Sequence, residues 1–525
     1  MEPVSFAFGT IGVADVCLTY GRELVAKYQI YKEADTAIGE AILRAQHHWT
    51  MLEMELKILR NLSHVLEESH QLHLATLFQT LQVKLQKALV TIDSVIGAKE
   101  EDPKRVSFRS LLRKRGDVKA MRLATGVKKS LDAMLLELAE WHRMLDPSWF
   151  LLALVQNPAV DSELTDQIAS TNKSVSTLKS LRSAINRSAQ PGAKKTSMFI
   201  PEASVLERKP ILYFSGETGR EYRTGKTVLV DNVIPHPAAH VKVLDKNVRD
   251  LARILSVVEP LKFGILACTG AIRVRDSARN ILRFQLVFRV PDNFHTPRSL
   301  RELLVTGVSA PLEERFRLAA QLARSVLFIH TADFVHKNVR PETIIVLKND
   351  SSVIGMPFLM GFENFRPVEG NTFLAGDSEW QKDLYRHPAR QGTCLTESYN
   401  MQHDIYSLGV CLLELGLWES FVLPNSITAG RFDPAPNLNI SKHLRLGRPW
   451  DKANKIKEEL VYMARTRLPS KMGSRYTQIV LMCLGCLDAG DNGFGHESEF
   501  LDNDGILVGV RYIEKILEKV DEIVV

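Results

Sequence analysis

Between residues 36 and 66 the apolar positions Ile38, Ile42, Ala45, Trp49, Leu52, Leu56, Leu59 and Leu66 recur at three- and four-residue steps, which is one face of a helix. Leu74, Leu77, Leu81, Leu85, Leu89, Ile92 and Ile96 repeat the pattern, and Val127, Leu131, Met134, Leu138, Trp141 and Leu145 form a third stripe. The tetrapeptide DPSW at 146–149 is expected to end that helix, because proline cannot donate the next ladder hydrogen bond. A weaker helical pattern runs from Glu163 to Ile185. Each stripe needs an apolar partner, so residues 1–186 are expected to form an antiparallel helical bundle.

The helical period is lost over RSAQPGAKKTSMFIPEASVLERKP, and residues 187–209 read as an interdomain linker. Beyond it ILYF (211–214), TVLV (227–230), FGILACTGAIRV (263–274) and RFQLVFRV (283–290) read as strands, with a helix expected near 245–258. From 299 onward the pattern turns helical. The fold class expected is therefore multi-domain: an all-α bundle, then an α+β unit over 210–525 with a small β-rich lobe before a helical lobe.

Residues 3–20 break the amphipathic rule. FAFGTIGVADVCL is apolar nearly all round and contains Gly9 and Gly12, poor helix formers in water. It lacks a basic leader and a clear cleavage site, so it does not read as a signal peptide. It can be a buried first helix, or a latent membrane-inserting segment in which Phe6, Phe8, Ile11, Val13, Val16 and Leu18 would meet lipid. About 18 residues is marginal for a core about 30 Å thick, and Asp15 would be costly there unless paired. No uninterrupted apolar stretch of standard spanning length occurs elsewhere.

Composition and charge narrow the classes. The chain has 525 residues, 45% of them hydrophobic and 24% charged, with a formal charge of +6, which is small for a nucleic-acid-coating protein. The basic residues are uneven: Lys104, Arg105, Arg109, Arg113, Lys114 and Arg115 begin a run that continues to Lys129, opposed by Asp117 alone. Such a run is either a solvated face or an attachment to anionic lipid. Phe108 is its one aromatic, too few for stacking on bases, so no nucleic-acid partner is expected. The six cysteines are too scattered for a disulfide framework, and Cys483 and Cys486 lie in the apolar run IVLMCLGCL, where buried thiols are expected and no metal site is.

The second half carries the chemistry-bearing motifs. FVHKNVRPETIIVL (334–347), SLRELL (299–304), RFRLAAQLARSVLFIHTADFVH (315–336), LYRHPARQG (384–392) and HDIYSLGVCLLELGLW (403–418) stand in the order and spacing of protein-kinase segments. Over residues 210–520 the chain resembles that family. His336, Pro341, Glu342, Asp404 and Gly409 match the family's fold-shaping positions, with Asp404 implied to hold the catalytic-loop backbone. The chemical positions do not match. Asn338 stands where a carboxylate would accept the substrate proton, and an amide has no basic oxygen at physiological pH. Thr343 replaces the metal-binding asparagine. In MGFENF (360–365), Gly361 replaces the metal-binding aspartate and Glu363 the glycine of D-F-G. Asp231 falls near the expected small-lobe lysine, with Lys226, Lys242 or Lys246 as substitutes. SGETGREYRTGK lacks the G-x-G-x-x-G spacing. The resemblance thus implies a pseudokinase with no catalytic residue, no resident cofactor, no metal and weak or absent ATP–Mg binding.

The Gly-containing apolar start followed by amphipathic helices resembles, by pattern, the HeLo domain of fungal incompatibility and cell-death proteins. More distantly it is similar to the bundle of the mixed-lineage-kinase-like necroptosis executioners. The resemblance implies a cytoplasmic switch in which the kinase-like part answers an upstream activating protein. The bundle would then self-oligomerise, move to the anionic plasma membrane and permeabilise it in regulated cell death. Two alternatives stand beside it: an active atypical kinase using Glu363 for metal, and a non-enzymatic adaptor or scaffold.

Overall fold

The computed structural model describes residues 3–32, 36–97, 118–189, 197–235, 240–278, 280–362, 365–367, 379–392, 399–425, 428, 430–446, 448–488, 494 and 506–523. The chain divides into two units, Met1–Lys179 and Ser180–Val525. The basic run from Lys104 to Arg115 and Glu363 lie outside the described residues.

The first unit is helical. α1 (Pro3–Gln29) extends past residue 20 and is two-sided rather than apolar all round. Ala14, Cys17, Leu18, Leu24 and Tyr28 are buried, whereas Gly9, Gly12 and Asp15 face solvent. Asp15 meets Arg60 of α2 (Thr36–Leu62) at 2.7 Å, which gives the one acid of the apolar segment a cationic partner. α3 (Glu68–Gly97) and α4 (Val118–Leu151) complete the bundle. The predicted stripes are its core: from Ile38 to Ile92 and from Val127 to Leu145 every stripe residue named above is buried. Each fully buried Leu or Ile contributes about 1.5–3 kcal/mol, which is why the stripes dictate the packing. Gly21 is where α1 admits α2, since a Cβ there would overlap the Trp49 ring at 1.9 Å.

Two helical expectations are corrected. α4 does not stop at 146–149 but continues through Pro147 to Leu151. The proline costs about 3 kcal/mol in a helix, and the burial of Trp149, Phe150 and Leu151 offsets it. The stretch Glu163–Ile185 is not one helix. Short helices Pro158–Glu163 and Asp166–Ala169, capped by the Asn157 and Thr165 side chains, precede α5 (Lys173–Ala189). Among the described residues no helix is long and apolar enough to cross a membrane.

The second unit is α+β. Its antiparallel sheet has the order β1-β2-β3-β5-β4, from β1 (Val205–Pro210), β2 (Glu217–Glu221), β3 (Thr227–Val233), β4 (Cys268–Arg275) and β5 (Ile281–Arg289). β1 therefore lies inside the stretch read as linker. ILYF at 211–214 is not a strand but part of the turn joining β1 to β2, with Tyr213 at φ 65°. The glycine-containing stretch 215–226 forms the end of the β1–β2 turn, β2 and the turn that follows it. α6 (Val241–Leu255) packs on this sheet.

The helical part follows. β6 (His295–Ser299), β8 (Ile344–Lys348) and β9 (Met356–Leu359) form a small sheet of order β6-β8-β9, and β7 (Phe334–Val335) pairs with β10 (Arg366–Pro367). α7 (Leu300–Thr306) and α8 (Leu312–Thr331) lead to the 334–347 loop. α9 (Met401–Leu417) is buried along its whole length and lies against α10 (Pro449–Leu484). Gly409 is the crossing point, because a Cβ there would come 2.7 Å from Cys483 Cβ.

Candidate functional site

The loop between β7 and β8 is shaped by one buried carboxylate. Asp404, at the start of α9, accepts the His336 amide at 2.7 Å, the Lys337 amide at 2.9 Å and the Tyr399 hydroxyl at 2.7 Å. Lys337 is held at φ 64°, a strained turn that these two bonds stabilise. Burial lifts the Asp404 pKa to about 6, against the downward pull of the Tyr399 hydroxyl and the two amides. His336 is buried against the Phe362 ring at 4.9 Å, and burial pushes its imidazole down to about 3. Phe362 in turn stacks on Phe288 of β5 at 5.8 Å, so an apolar column links the loop to the sheet.

Asn338 is turned inward and engaged at both ends. Its Nδ2 donates to the Gly361 carbonyl at 3.0 Å, and its Oδ1 accepts from Arg340 Nε at 2.8 Å. Thr343 closes the loop on itself, its hydroxyl donating to the Asn338 carbonyl at 2.7 Å and the Arg340 carbonyl at 2.9 Å. The Thr343 methyl fills the space beside Gly361. A Cβ on Gly361 would lie 2.3 Å from Thr343 Cγ2, and its φ of 85° is in the left-handed half of the map. Position 361 is therefore closed to an aspartate by sterics as well as by sequence.

The opposite wall is Asp231. It is fully buried on β3, and its Oδ2 accepts the amides of both Gly361 and Phe362 at 2.8 Å. One oxygen thus satisfies two consecutive buried amides. An acidic side chain occupies the β3 position facing Gly361 and Phe362. Of the substitute lysines, Lys226 is exposed and paired with Asp292 at 2.7 Å, Lys242 is exposed, and Lys246 is exposed at 4.0 Å from Asp250.

The β1–β2 turn is tied down from two sides. The Ser299 hydroxyl, at the start of α7, donates to the Leu212 carbonyl at 2.7 Å. From the other side a relay runs from Arg208 to Gln285 at 2.8 Å, on to Asn232 at 2.9 Å and to the Ser215 carbonyl at 2.7 Å. Ile211 and Phe214 are buried beneath the turn.

Sequence reasoning missed a second polar centre. Arg301 of α7 is fully buried and bonds Glu342 at 3.2 Å, Glu414 at 2.8 Å, the Ser420 hydroxyl at 2.7 Å and the Tyr385 hydroxyl. Burial would lift both carboxylates. Arg301 holds Glu342 below its ordinary range, whereas Glu414 stays raised. Glu342 thus fastens the loop to α7, and Glu414 fastens α9. Only the arginine of SLRELL hinted at this, and nothing local distinguishes it from a surface arginine.

The remaining predicted residues fall as follows. Pro341 is buried, its carbonyl accepting the Arg301 amide at 3.1 Å. Ile11, Val13 and Val16 are half-buried on α1 and Leu18 is buried, while Phe6 and Phe8 lie in the first turns of α1, outside the residues whose side chains are described. Cys483 and Cys486 are both buried.

No protein-family model matches the chain. Its C-terminal region is similar to known kinases. It is 27% identical over 121 residues to a probable serine/threonine-protein kinase of Dictyostelium discoideum, 22% of this chain and 6% of that protein. It is 26% identical over 164 residues to the mitosis inhibitor protein kinase mik1 of Schizosaccharomyces pombe, 30% of this chain and 25% of that protein. It is 24% identical over 211 residues to the serine/threonine-protein kinase TIO of Arabidopsis thaliana, 40% of this chain and 14% of that protein. The second unit is kinase-like. The matches cover a quarter or less of each relative's length.

Proposed function

We propose that the kinase-like unit transfers no phosphate and serves as the sensing half of a switch whose effector is the helical bundle. The observation that carries this reading is Asp231. Phosphoryl transfer needs cationic groups around the transferred phosphate and a carboxylate to receive the proton. Here the β3 side chain is an acid committed to the amides of Gly361 and Phe362, where a phosphotransferase needs a cation. Asn338 supplies no base, and the space an aspartate at 361 would need holds the Thr343 methyl. What remains intact is the scaffold: Asp404 on its loop, Phe362 in its column and the Arg301 cluster.

For the bundle, the proposal is self-association and permeabilisation of an anionic plasma membrane, in the manner of the HeLo-type proteins it resembles, after a cytoplasmic upstream partner engages the kinase-like unit. Support comes from Gly9 and Gly12. Each lies inside α1, where glycine costs about 1 kcal/mol relative to alanine. A Cβ at either would meet nothing within 4 Å, so packing in this bundle does not require them, unlike Gly21. Small residues are what close helix–helix contact in an assembly requires.

Two measurements on the full chain test the reading. ATP with Mg²⁺ should leave the melting temperature nearly unchanged, and no phosphate should pass to a generic acceptor protein. A Mg²⁺-dependent shift together with transfer would put the active-kinase alternative ahead. Dye-loaded anionic vesicles should leak on activation by a forced dimeriser fused to the chain. Dimerised chain that leaves them sealed would leave the adaptor reading.

A further inference from the structure

Ahead of β1, within the stretch read from sequence as linker, Met198–Ile200 lies along the outer edge of β4. The Ile200 amide donates to the Ala271 carbonyl at 2.8 Å, and the Ala271 amide donates to the Met198 carbonyl at 2.8 Å. This is a parallel bridge centred on Phe199. β4 ends the five-stranded sheet, so the strap pairs backbone groups on an edge that would otherwise be open. Gly270 permits the approach: a Cβ there would sit 2.9 Å from Ile200 Cγ2 and 2.9 Å from the Met198 carbonyl oxygen. Ile200 packs on the cluster of Val205, Val228, Val230 and Ile272.

Phe199 adds a contact that edge protection does not need. The Arg273 guanidinium lies over its ring, 3.3 Å from the centroid, and Arg249 of α6 approaches at 5.9 Å. On its other side Arg273 forks onto Asp245 of α6, Nε to Oδ1 at 2.6 Å and Nη2 to Oδ2 at 3.1 Å. Asp245 also accepts from Arg249 at 2.5 Å. The guanidinium is therefore held between an aromatic face and a helix carboxylate, and the ring fixes the plane in which Arg273 can present its fork. In this unit α6 is tied to β4 by the Asp245–Arg273 pair, and the strap's Phe199 ring lies on the arginine that makes the tie.

We infer that Met198–Ile200 is a latch by which the chain entering the kinase-like unit sets the position of α6, through Phe199, Arg273 and Asp245. Whatever draws residues 198–200 off β4 removes the aromatic face from Arg273 and loosens α6. The segment immediately preceding β1 is thus a mechanical input to the small lobe. The latch is independent of whether the bundle acts on membranes.

The test is hydrogen exchange by mass spectrometry on the full chain. Phe199→Ala removes the ring, and Gly270→Val evicts the strap by filling its space while leaving Phe199 and Arg273 intact. Both variants should speed exchange across residues 245–255 of α6 by about tenfold, with α8 and α9 unchanged. If Ala271 loses protection in both while α6 exchanges like the parent, the strap covers an edge and the latch is overturned. Should either variant fail to fold, a double-mutant cycle of Phe199→Leu with Asp245→Asn decides on the same readout. Non-additive effects on α6 exchange support the latch, and additive ones overturn it.

Discussion

Replacing Asp231 with lysine, the residue a phosphotransferase would want on β3, should damage this protein rather than repair it. Asp231 is fully buried, and one oxygen accepts two amides at 2.8 Å each. Removing that acceptor strands two buried N–H groups, at about 1–3 kcal/mol apiece. Asp231→Ala should therefore cost about 2–6 kcal/mol, much of a typical domain's stability of about 5–15 kcal/mol. Asp231→Asn keeps one carbonyl oxygen to accept the two amides, so its cost should be smaller. Asp231→Lys brings a buried cation against two N–H dipoles and should be the worst of the three. The assay is amide exchange at Gly361 and Phe362, read beside a urea titration. A loss of 2 kcal/mol or more should raise local exchange by about thirtyfold or more. The order Asn, Ala, Lys in increasing damage is the signature. A lysine variant as stable as the parent, and newly stabilised by ATP with Mg²⁺, would refute the account of Asp231 as a structural plug.

Three further outcomes follow from the same contacts. Gly361→Asp puts a side chain at φ 85°, 2.3 Å from Thr343 Cγ2, and should destabilise by at least about 1–3 kcal/mol; combined with Asn338→Asp it should still show no Mg²⁺-dependent nucleotide stabilisation in a thermal-shift titration. Asp404 titrates at about 6 in the fold against 3.8 ordinarily, so its protonated form is favoured by folding. The associated stability, on the order of 3 kcal/mol, is present below about pH 4 and lost as pH rises through about 6. The urea-derived advantage of the parent over Asp404→Asn should accordingly shrink between pH 4 and 7, and an advantage that grows would contradict the shift. Gly9→Ala and Gly12→Ala should each stabilise the resting bundle by about 1 kcal/mol, since a Cβ meets nothing within 4 Å at either; if the glycines serve an assembled state, the same variants should weaken vesicle leakage.

The stripes of Ile, Leu and Trp at three- and four-residue steps were enough to set the bundle helices, because burial of one face dominates any local preference. The loss of period after 187 marked the change of architecture, and the ordered segments from 299 to 418 were enough to suggest a kinase-like unit. The residue type at 338 was legible as well: an amide has no basic oxygen in any fold. Local rules failed where tertiary burial overrode them. Pro147 did not end α4, since Trp149, Phe150 and Leu151 gain more from burial than the missing bond costs. Only the tertiary structure decided the rest, because it depends on which groups meet across long stretches of chain. Asp231 read as a missing lysine, and it became a plug when Gly361 and Phe362, some 130 positions later, turned their amides onto it. Arg301 became the centre of a buried ionic cluster by meeting Glu342 and Glu414. Phe199, in a stretch with no periodicity to read, became part of the sheet's edge by pairing with Ala271 and met Arg273 there. Periodicity reports how one segment divides its faces between core and water, and it carries no information about which distant polar group will share that core.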